Sequence, residues 1–279
     1  MAPAAPGTAL VGPGAGEVEE VLPWDGAEMA SLLAGKNTGG PISRRLSQAD
    51  AAFAWTRSAA LVELLSSRVR RLLVHDPTPA PGSGHVSAWL SRPLAELGVS
   101  PVRNLPVLQF TGTETRAAAS LLTALPPGFL AIHQGSGSAA KNWSKERFLT
   151  LAQRLAGERR WLLVLGPAER ETGVAPPPAA LVARELPLRV LGAILSRAGL
   201  FVGNDSGITH LAAAAGAPTL ALFGPTDPSV WAPLGPNVRA VHRTGDAPAA
   251  LSVEEVLEEA RELLGTAALT SGASGPPSG

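Results

Sequence analysis

The fold is decided by the stretch Leu200–Gly235, which reads LFVGNDSGITHLAAAAGAPTLALFGPTDPSVWAPLG. An apolar run ends at Gly203 and is followed by Asn-Asp-Ser-Gly, by a helix of small residues that Gly216 and Pro218 close, and by a second apolar run, Thr219–Phe223. This order predicts a strand, a crossover helix and a second strand, which together form one βαβ unit.

Residues 204–207 stand at the start of the predicted helix. Asn204, Asp205 and Ser206 are all good N-cap residues, and Gly207 leaves the mouth of the helix uncrowded. Free N–H groups and the positive end of the helix dipole would then face the space beyond the strand, and such a setting attracts phosphate. An ordinary capped crossover helix has the same pattern, so this stretch alone leaves a phosphate site and a purely structural cap both open.

Composition limits the class of protein. The 279 residues are enough for one large or two ordinary domains, and we expect two. Positive and negative side chains number 23 each, and no basic stripe indicates a nucleic-acid partner. The absence of cysteine excludes disulfides, thiolate metal sites and a cysteine nucleophile. Neither an export signal nor an apolar run of membrane-spanning length is found, so we expect a cytoplasmic protein.

Strand and helix patterns alternate along the chain, which predicts α/β domains with mainly parallel sheets. We place a first domain at 1–112, a second at 113–265 and a disordered tail of small and polar residues at 266–279. The second domain has every step of a doubly wound sheet, whereas the first is short by one βα unit. Strands are predicted at Thr8–Val11, Glu20–Leu22, Ala51–Trp55, Arg71–His75, Phe129–His133, Trp161–Leu165, Leu200–Gly203, Thr219–Phe223 and Val238–Val241, and helices at Ala27–Ala34, Ile42–Leu46, Arg57–Ser66, 85–97, Glu114–Leu125, Ser144–Gly157, Ala179–Glu185, Arg189–Ala198, 207–215 and Ser252–Leu264.

Three loops follow strands of the second domain, and ligands of open parallel sheets bind outside the carboxyl ends of the strands. Residues 133–144 are rich in Gly and Ser and carry Lys141, so this loop either presents N–H groups and a cation to a diphosphate or is a flexible polar loop. The next loop holds Glu169, which could accept ribose hydroxyls or be a solvated acid at a helix start. The third loop is Asp205–Gly207, with His210 about one turn further on.

Together these loops resemble glycosyltransferase family 9, the lipopolysaccharide heptosyltransferases. The resemblance is carried by His133–Trp143 (HQGSGSAAKNW), Val202–Phe223 (VGNDSGITHLAAAAGAPTLALF) and Gly224–Gly235 (GPTDPSVWAPLG). It implies a GT-B fold of two Rossmann-like doubly wound domains, of which the second holds a nucleotide-sugar donor.

The resemblance also implies a reaction and its residues. The reaction is the inverting transfer of a sugar, a heptose from ADP-heptose or another nucleotide sugar, to a lipid-linked saccharide of the lipopolysaccharide core at the inner membrane surface. N–H donors, a helix dipole and a lysine would stabilise the leaving diphosphate, so neither a metal ion nor another cofactor is expected. By matching position, the donor-binding residues are Ser136 and Lys141 at the diphosphate, Glu169 with Glu171 as its alternative at the ribose, Asp205 at the sugar hydroxyls, and Ser206, Gly207 and His210 at the phosphate end.

Transfer also needs a base that removes the proton of the acceptor hydroxyl. The family's base is an Asp in a turn of the type G-x-L-G-D, and this chain has no such turn. Its nearest match is Gly14–Glu17, which makes Glu17 the candidate base. We prefer, however, to align Thr8–Trp24 with the family's second strand and the segment after it, which leaves the first βα unit and its base absent. We then expect either a reading frame that begins upstream or a degenerate, non-catalytic homologue that binds a nucleotide sugar and transfers poorly.

Overall fold

The computed structural model describes residues 20–22, 26–36, 38–100, 105, 107–166, 176–243 and 248–271. The predicted strand Thr8–Val11, the candidate base Glu17, the candidate ribose acids Glu169 and Glu171, and residues 272–279 lie outside this part of the chain. The chain divides into two compact units, Met1–Arg103 and Asn104–Gly279.

The described part of the first unit is built around one βαβ step, as the alternating pattern predicts. Its elements are α1 (Ala27–Leu33), α2 (Pro41–Gln48), β1 (Ala51–Trp55), α3 (Ala59–Ser66), β2 (Arg71–His75) and α4 (Val86–Ala95). The two strands are parallel and pair from Ala51 with Arg71 to Trp55 with His75. A small core forms where the helices bring together the buried side chains of Met29, Leu32, Ile42 and Leu64.

The second unit is a six-stranded, fully parallel sheet covered by helices. Its elements are α5 (Gly112–Thr123), β3 (Leu130–His133), α6 (Lys145–Ala156), β4 (Trp161–Leu165), β5 (Ala180–Arg184), α7 (Leu188–Leu195), β6 (Leu200–Asn204), α8 (Gly207–Ala214), β7 (Thr219–Phe223), α9 (Pro228–Trp231), β8 (Val238–His242) and α10 (Val253–Ser271). The strand order is β5-β4-β3-β6-β7-β8. The chain winds outward from β3 to β5, returns to the middle, and winds outward the other way from β6 to β8, so the predicted doubly wound sheet is confirmed.

Apolar runs explain why β3, β4, β6 and β7 occupy the middle of this sheet. Every residue of these four strands is buried. Strands that are covered on both faces need continuous apolar runs, and these sequences supply them. On one face, β3 and β6 pack with α6 and α10 in a single core that includes Phe148, Leu151, Val256 and Ala260.

One predicted helix is a strand, the predicted strand at Glu20–Leu22 has no regular structure, and one helix is longer than predicted. The sequence favours a helix at Ala179–Glu185, but Ala180–Arg184 is β5, which pairs with β4 along its whole length. A short apolar run does not by itself distinguish a helix from a strand, and here the free edge of β4 decides the outcome. Helix α10 continues to Ser271, so the backbone of 266–271 is helical where a disordered tail is predicted.

The connection before α5 belongs to the second unit. The Leu108 N–H donates to the Ala214 carbonyl at 2.8 Å, and the Arg189 guanidinium donates to the Gln109 carbonyl at 2.7 Å. These bonds tie residues 107–111 to α7 and α8. The compact units therefore divide between Arg103 and Asn104, ahead of the boundary at residue 112 that the sequence suggests.

Candidate functional site

The candidate site lies at the carboxyl edge of the sheet, where β3 and β6 run side by side. These strands pair from Leu130 with Leu200 to His133 with Gly203. The chain leaves them in opposite directions, towards β4 and towards β7, so the loops that follow them separate and leave a crevice. Ligands of doubly wound sheets bind at such a switch point.

The loop after β3 is fixed at both ends by one buried side chain. Asn204, the last residue of β6, is fully buried. Its Oδ1 accepts a hydrogen bond from the Trp143 N–H at 2.9 Å, and its Nδ2 donates to the Gln134 carbonyl at 2.8 Å. The Trp143 ring is itself buried, and its Nε1 donates to the Leu251 carbonyl at 2.8 Å. Asn204 thereby holds the Gly- and Ser-rich loop over the end of its own strand.

Lys141 and Ser136 both lie in this loop. Lys141 forms a hydrogen bond to the loop after β6, whereas the hydrogen bonds of Ser136 stay within its own loop. Lys141 ends a short 3-10 turn, Ala139–Lys141. The Ser136 hydroxyl accepts from the Ser138 N–H at 3.2 Å and donates to the Ser138 carbonyl at 2.7 Å, so it closes a local turn. The diphosphate contact that the resemblance implies for Ser136 stays a prediction.

The loop after β6 begins helix α8. Ser206 is the N-cap, and its Oγ accepts the Thr209 N–H at 3.4 Å. The same hydroxyl lies 3.2 Å from Nδ1 of His133 at the end of β3. Burial lowers the pKa of His133 from 6.5 to about 4, so its imidazole is neutral near pH 7 and serves as a hydrogen-bonding group rather than a cation.

An ion pair joins the two loops across the crevice. Nζ of Lys141 lies 2.7 Å from Oδ2 of Asp205, with 29% of the lysine side chain and 9% of the aspartate side chain exposed. The Thr226 hydroxyl, from the loop after β7, donates to the same oxygen at 2.7 Å. The loops after β3, β6 and β7 therefore meet at Oδ2 of Asp205, which accepts one hydrogen bond from a cation and one from a hydroxyl.

The N-terminus of α8 opens beside this ion pair. Gly207 is exposed, and a Cβ added there would meet no atom within 4 Å. The first N–H groups of a helix have no partner within the helix, so α8 presents donors two residues after Asp205, the partner of Lys141. His210, one turn on, is partly exposed, and its N–H donates to the Ser206 carbonyl at 3.2 Å. The edge thus combines a lysine, which is paired with Asp205, and N–H donors at a helix start, and these are groups that can bind a phosphate or diphosphate.

The structure brings together most of the predicted donor-site residues that it describes. Lys141, Asp205, Ser206, Gly207 and His210 all lie on the loops or the helix start at the carboxyl edge of β3 and β6. The candidate acids Glu169 and Glu171 and the candidate base lie outside the described residues, so their roles stay predictions.

Sequence analysis did not predict three residues of the candidate site. The sequence contains a signal for two of them. Thr226 follows β7, the strand next to β6, and stands in the quoted motif GPTDPSVWAPLG without a predicted role. His133 ends the strand before the Gly-rich loop, and its position there could have indicated a site residue. The buried role of Asn204 has no comparable signal, because an Asn before a helix is expected to be a cap.

Two further observations concern the described part of the chain. No group of three or more His, Asp or Glu side chains within it is arranged to hold a metal ion. None of its helices combines the length and the apolar character needed to cross a membrane.

Comparisons with known proteins identify the family of this chain. The model of glycosyltransferase family 9 (heptosyltransferase) matches residues 80–260. Lipopolysaccharide heptosyltransferase 1 of Pseudomonas aeruginosa is 35% identical over 128 residues, which are 44% of this chain and 35% of that protein. Lipopolysaccharide heptosyltransferase 2 of Escherichia coli K12 is 29% identical over 150 residues, which are 45% of this chain and 43% of that protein. The match thus spans less than half the length of these curated relatives.

Solved structures establish the fold. The ADP-heptose lipopolysaccharide heptosyltransferase II of E. coli superposes with a TM-score of 0.73, at 20% identity over 95% of this chain and 88% of that one. The family 9 glycosyltransferase of Veillonella parvula superposes with a TM-score of 0.68, at 17% identity over 86% of this chain and 79% of that one. The chain has the GT-B fold of these proteins, and because the family model matches more than half of it, the chain belongs to glycosyltransferase family 9.

Proposed function

We propose that this protein transfers a sugar, a heptose, from a nucleoside-diphosphate sugar to a lipopolysaccharide-core acceptor. The observation that carries the proposal is the pairing of Lys141 with Asp205 beside the N-terminus of α8, at the switch point of a doubly wound sheet. A nucleotide sugar has a diphosphate for the lysine and the helix, and sugar hydroxyls for the carboxylate. Relatives crystallised with ADP and with an ADP-fluoroheptose support ADP-heptose as the donor.

The proposed chemistry is a direct, inverting displacement. The acceptor hydroxyl oxygen forms a bond to the anomeric carbon, and the bond from that carbon to the diphosphate breaks. Its electron pair leaves with the diphosphate, where the Lys141 ammonium and the first N–H groups of α8 stabilise the added negative charge. Because these groups already supply positive charge, we propose that no metal ion is needed.

A base must take the proton of the acceptor hydroxyl, and we propose Glu17 for this role. Ser136, Ser206, Gly207 and His210 complete the proposed phosphate contacts. Glu169, or Glu171, is proposed for the ribose. The Gly-rich turns support the phosphate contacts, and the carboxylates support the roles of the three glutamates.

The proposed partners are the nucleotide-sugar donor and a lipid-linked core saccharide. Such an acceptor is anchored in lipid, so we place the enzyme in the cytoplasm at the surface of the inner membrane. Nucleic acid is not a proposed partner, because the chain has equal numbers of positive and negative side chains.

The test is a transfer assay with ADP-heptose and a core acceptor that lacks heptose, run beside a binding measurement on the same preparation. Release of ADP that depends on the acceptor supports the proposal. Binding of ADP-heptose without transfer supports the non-catalytic alternative. The absence of both binding and transfer contradicts the donor site itself.

A further inference from the structure

Asp205 receives two hydrogen bonds on one oxygen. Both Nζ of Lys141 and the Thr226 hydroxyl lie 2.7 Å from its Oδ2. Neither contact uses the second oxygen, Oδ1. Only 9% of the Asp205 side chain is exposed, and a carboxylate in such a place needs partners because burial removes its water.

The two partners differ in how they are held. Lys141 reaches the carboxylate from the long loop after β3 through a flexible four-carbon stem. Thr226 lies three residues after the end of β7, a fully buried strand that pairs with β6. The backbone makes the same connection, because the Asp205 N–H donates to the Leu222 carbonyl at 3.0 Å. Thr226 and Asp205 therefore lie in the short segments that follow two adjacent, hydrogen-bonded strands.

Donor binding would change the role of Lys141. This step rests on the proposed function, in which the ammonium turns to the diphosphate. A lysine that binds the diphosphate gives up part of its contact with Asp205, and the carboxylate then keeps Thr226 as its fixed partner. When one oxygen of a carboxylate is held, the other points in a defined direction. Such preorganisation strengthens the binding of a ligand group to that second oxygen.

We propose that Thr226 is a positioning residue for sugar recognition. It holds Oδ2 of Asp205 so that Oδ1 is directed to hydroxyl groups of the donor sugar. The hydroxyl of Thr226 acts through Asp205 and does not touch the diphosphate. Its removal should lower the affinity for a sugar nucleotide and leave the affinity for the nucleoside diphosphate alone unchanged.

The experiment compares the binding of ADP and ADP-heptose by calorimetry. Thr226→Val removes the hydroxyl and keeps the shape of the side chain. We expect it to weaken ADP-heptose about tenfold to a hundredfold, in line with the loss of a hydrogen bond to a charged group, and to leave ADP within about twofold. Thr226→Ser keeps the hydroxyl and should retain the wild-type ratio of the two affinities.

Two controls separate positioning from a general structural effect. Thr150→Val changes another partly exposed threonine, whose hydroxyl donates to the Glu146 carbonyl in α6 at 2.9 Å, and it should leave both affinities unchanged. In an Asp205→Asn background, Thr226→Val should have little further effect on the affinity ratio, because the two residues act as a unit.

The outcomes are distinct. If Thr226→Val weakens ADP and ADP-heptose equally, or weakens neither, the positioning role is overturned while the proposed function stands. A full additional loss in the Asp205→Asn background also overturns it. If the wild-type protein binds neither ligand, the proposed function fails and the positioning role fails with it. Should Thr226→Val not fold, Thr226→Ala gives the same comparison.

Discussion

The imidazole of His133 and the hydroxyl of Ser206 lie 3.2 Å apart and connect the end of β3 to the N-cap of α8. His133 is 4% exposed, so this hydrogen bond is shielded from water. The bond joins the strand that starts the candidate site to the helix whose N-terminus faces it.

His133 should make the protein less stable in mild acid. Its pKa in the folded protein is about 4, against an ordinary value of 6.5, so between these values the unfolded chain binds a proton that the folded protein does not. The free energy of unfolding is therefore unaffected by this histidine above pH 6.5. As the pH falls from 6.5 through 4, this free energy decreases by roughly 3 kcal/mol in all.

Urea unfolding of the wild-type protein and of His133→Asn between pH 7.5 and pH 4 measures this effect. The Asn variant has no titrating group at this position, so its free energy of unfolding should fall less over this range. An equal fall in the two proteins would show that other groups cause the acid sensitivity.

Asn204 should contribute more to the free energy of unfolding than the nearby Asn142. Asn204→Ala leaves the Trp143 N–H and the Gln134 carbonyl without their partner in a buried place, at a cost of about 2–5 kcal/mol. Asn142 is partly exposed and lies 3.5 Å from Asn204. Asn142→Ala should therefore change the free energy of unfolding by only about 0.5 kcal/mol. Chemical denaturation of both variants measures the two free energies. Similar decreases in the two variants would contradict the role of Asn204 in holding the loop after β3.

Sequence patterns predicted the architecture of the second unit because its signals are local. The buried runs, the caps and the Gly-rich turns each depend on neighbouring residues, and together they define a βαβ series. The strand at Ala180–Arg184 was mistaken for a helix because its structure depends on pairing with Trp161–Leu165, which is a long-range contact. Local preference could not decide that segment.

The candidate site was predictable as a set of loops but not as a set of contacts. Parallel strands bring their carboxyl ends to one edge, so a common site for Lys141 and Asp205 follows from the topology. Their direct ion pair joins positions 64 residues apart, and the Thr226 bond joins positions 21 residues apart. Such pairings depend on side-chain orientation, which spacing along the chain does not show.

Asp205 should be needed for sugar recognition rather than for folding. Ser206, not Asp205, is the N-cap of α8, and Asn keeps the size of the side chain, so Asp205→Asn should cost only the charge-assisted contact with Lys141, about 1.5–3 kcal/mol of unfolding free energy. The variant should lose discrimination between ADP-heptose and ADP because the charged acceptor is gone. Thermal unfolding and calorimetry are the measurements. A large drop in melting temperature with unchanged discrimination would favour a structural role.

Glu17 should affect transfer and not binding if it is the base. Glu17→Gln should lower the rate of ADP release in the presence of acceptor by about 10²–10⁴-fold, which is the usual contribution of a positioned base, while the affinity for ADP stays the same. Glu19→Gln, a change at a neighbouring acid, serves as the control. A Glu17→Gln variant that transfers at the wild-type rate would exclude Glu17 as the base.

The central claim is that the carboxyl edge of β3 and β6 binds a nucleoside diphosphate, and titration calorimetry with ADP tests it most directly. The wild-type protein should bind ADP, and Lys141→Ala should weaken that binding by roughly 1.5–3 kcal/mol, the value of a hydrogen bond to a charged group. Lys145→Ala, which removes the lysine at the start of α6, should leave the affinity unchanged. No binding of ADP by the wild-type protein, or an equal loss in the two lysine variants, would contradict the assignment.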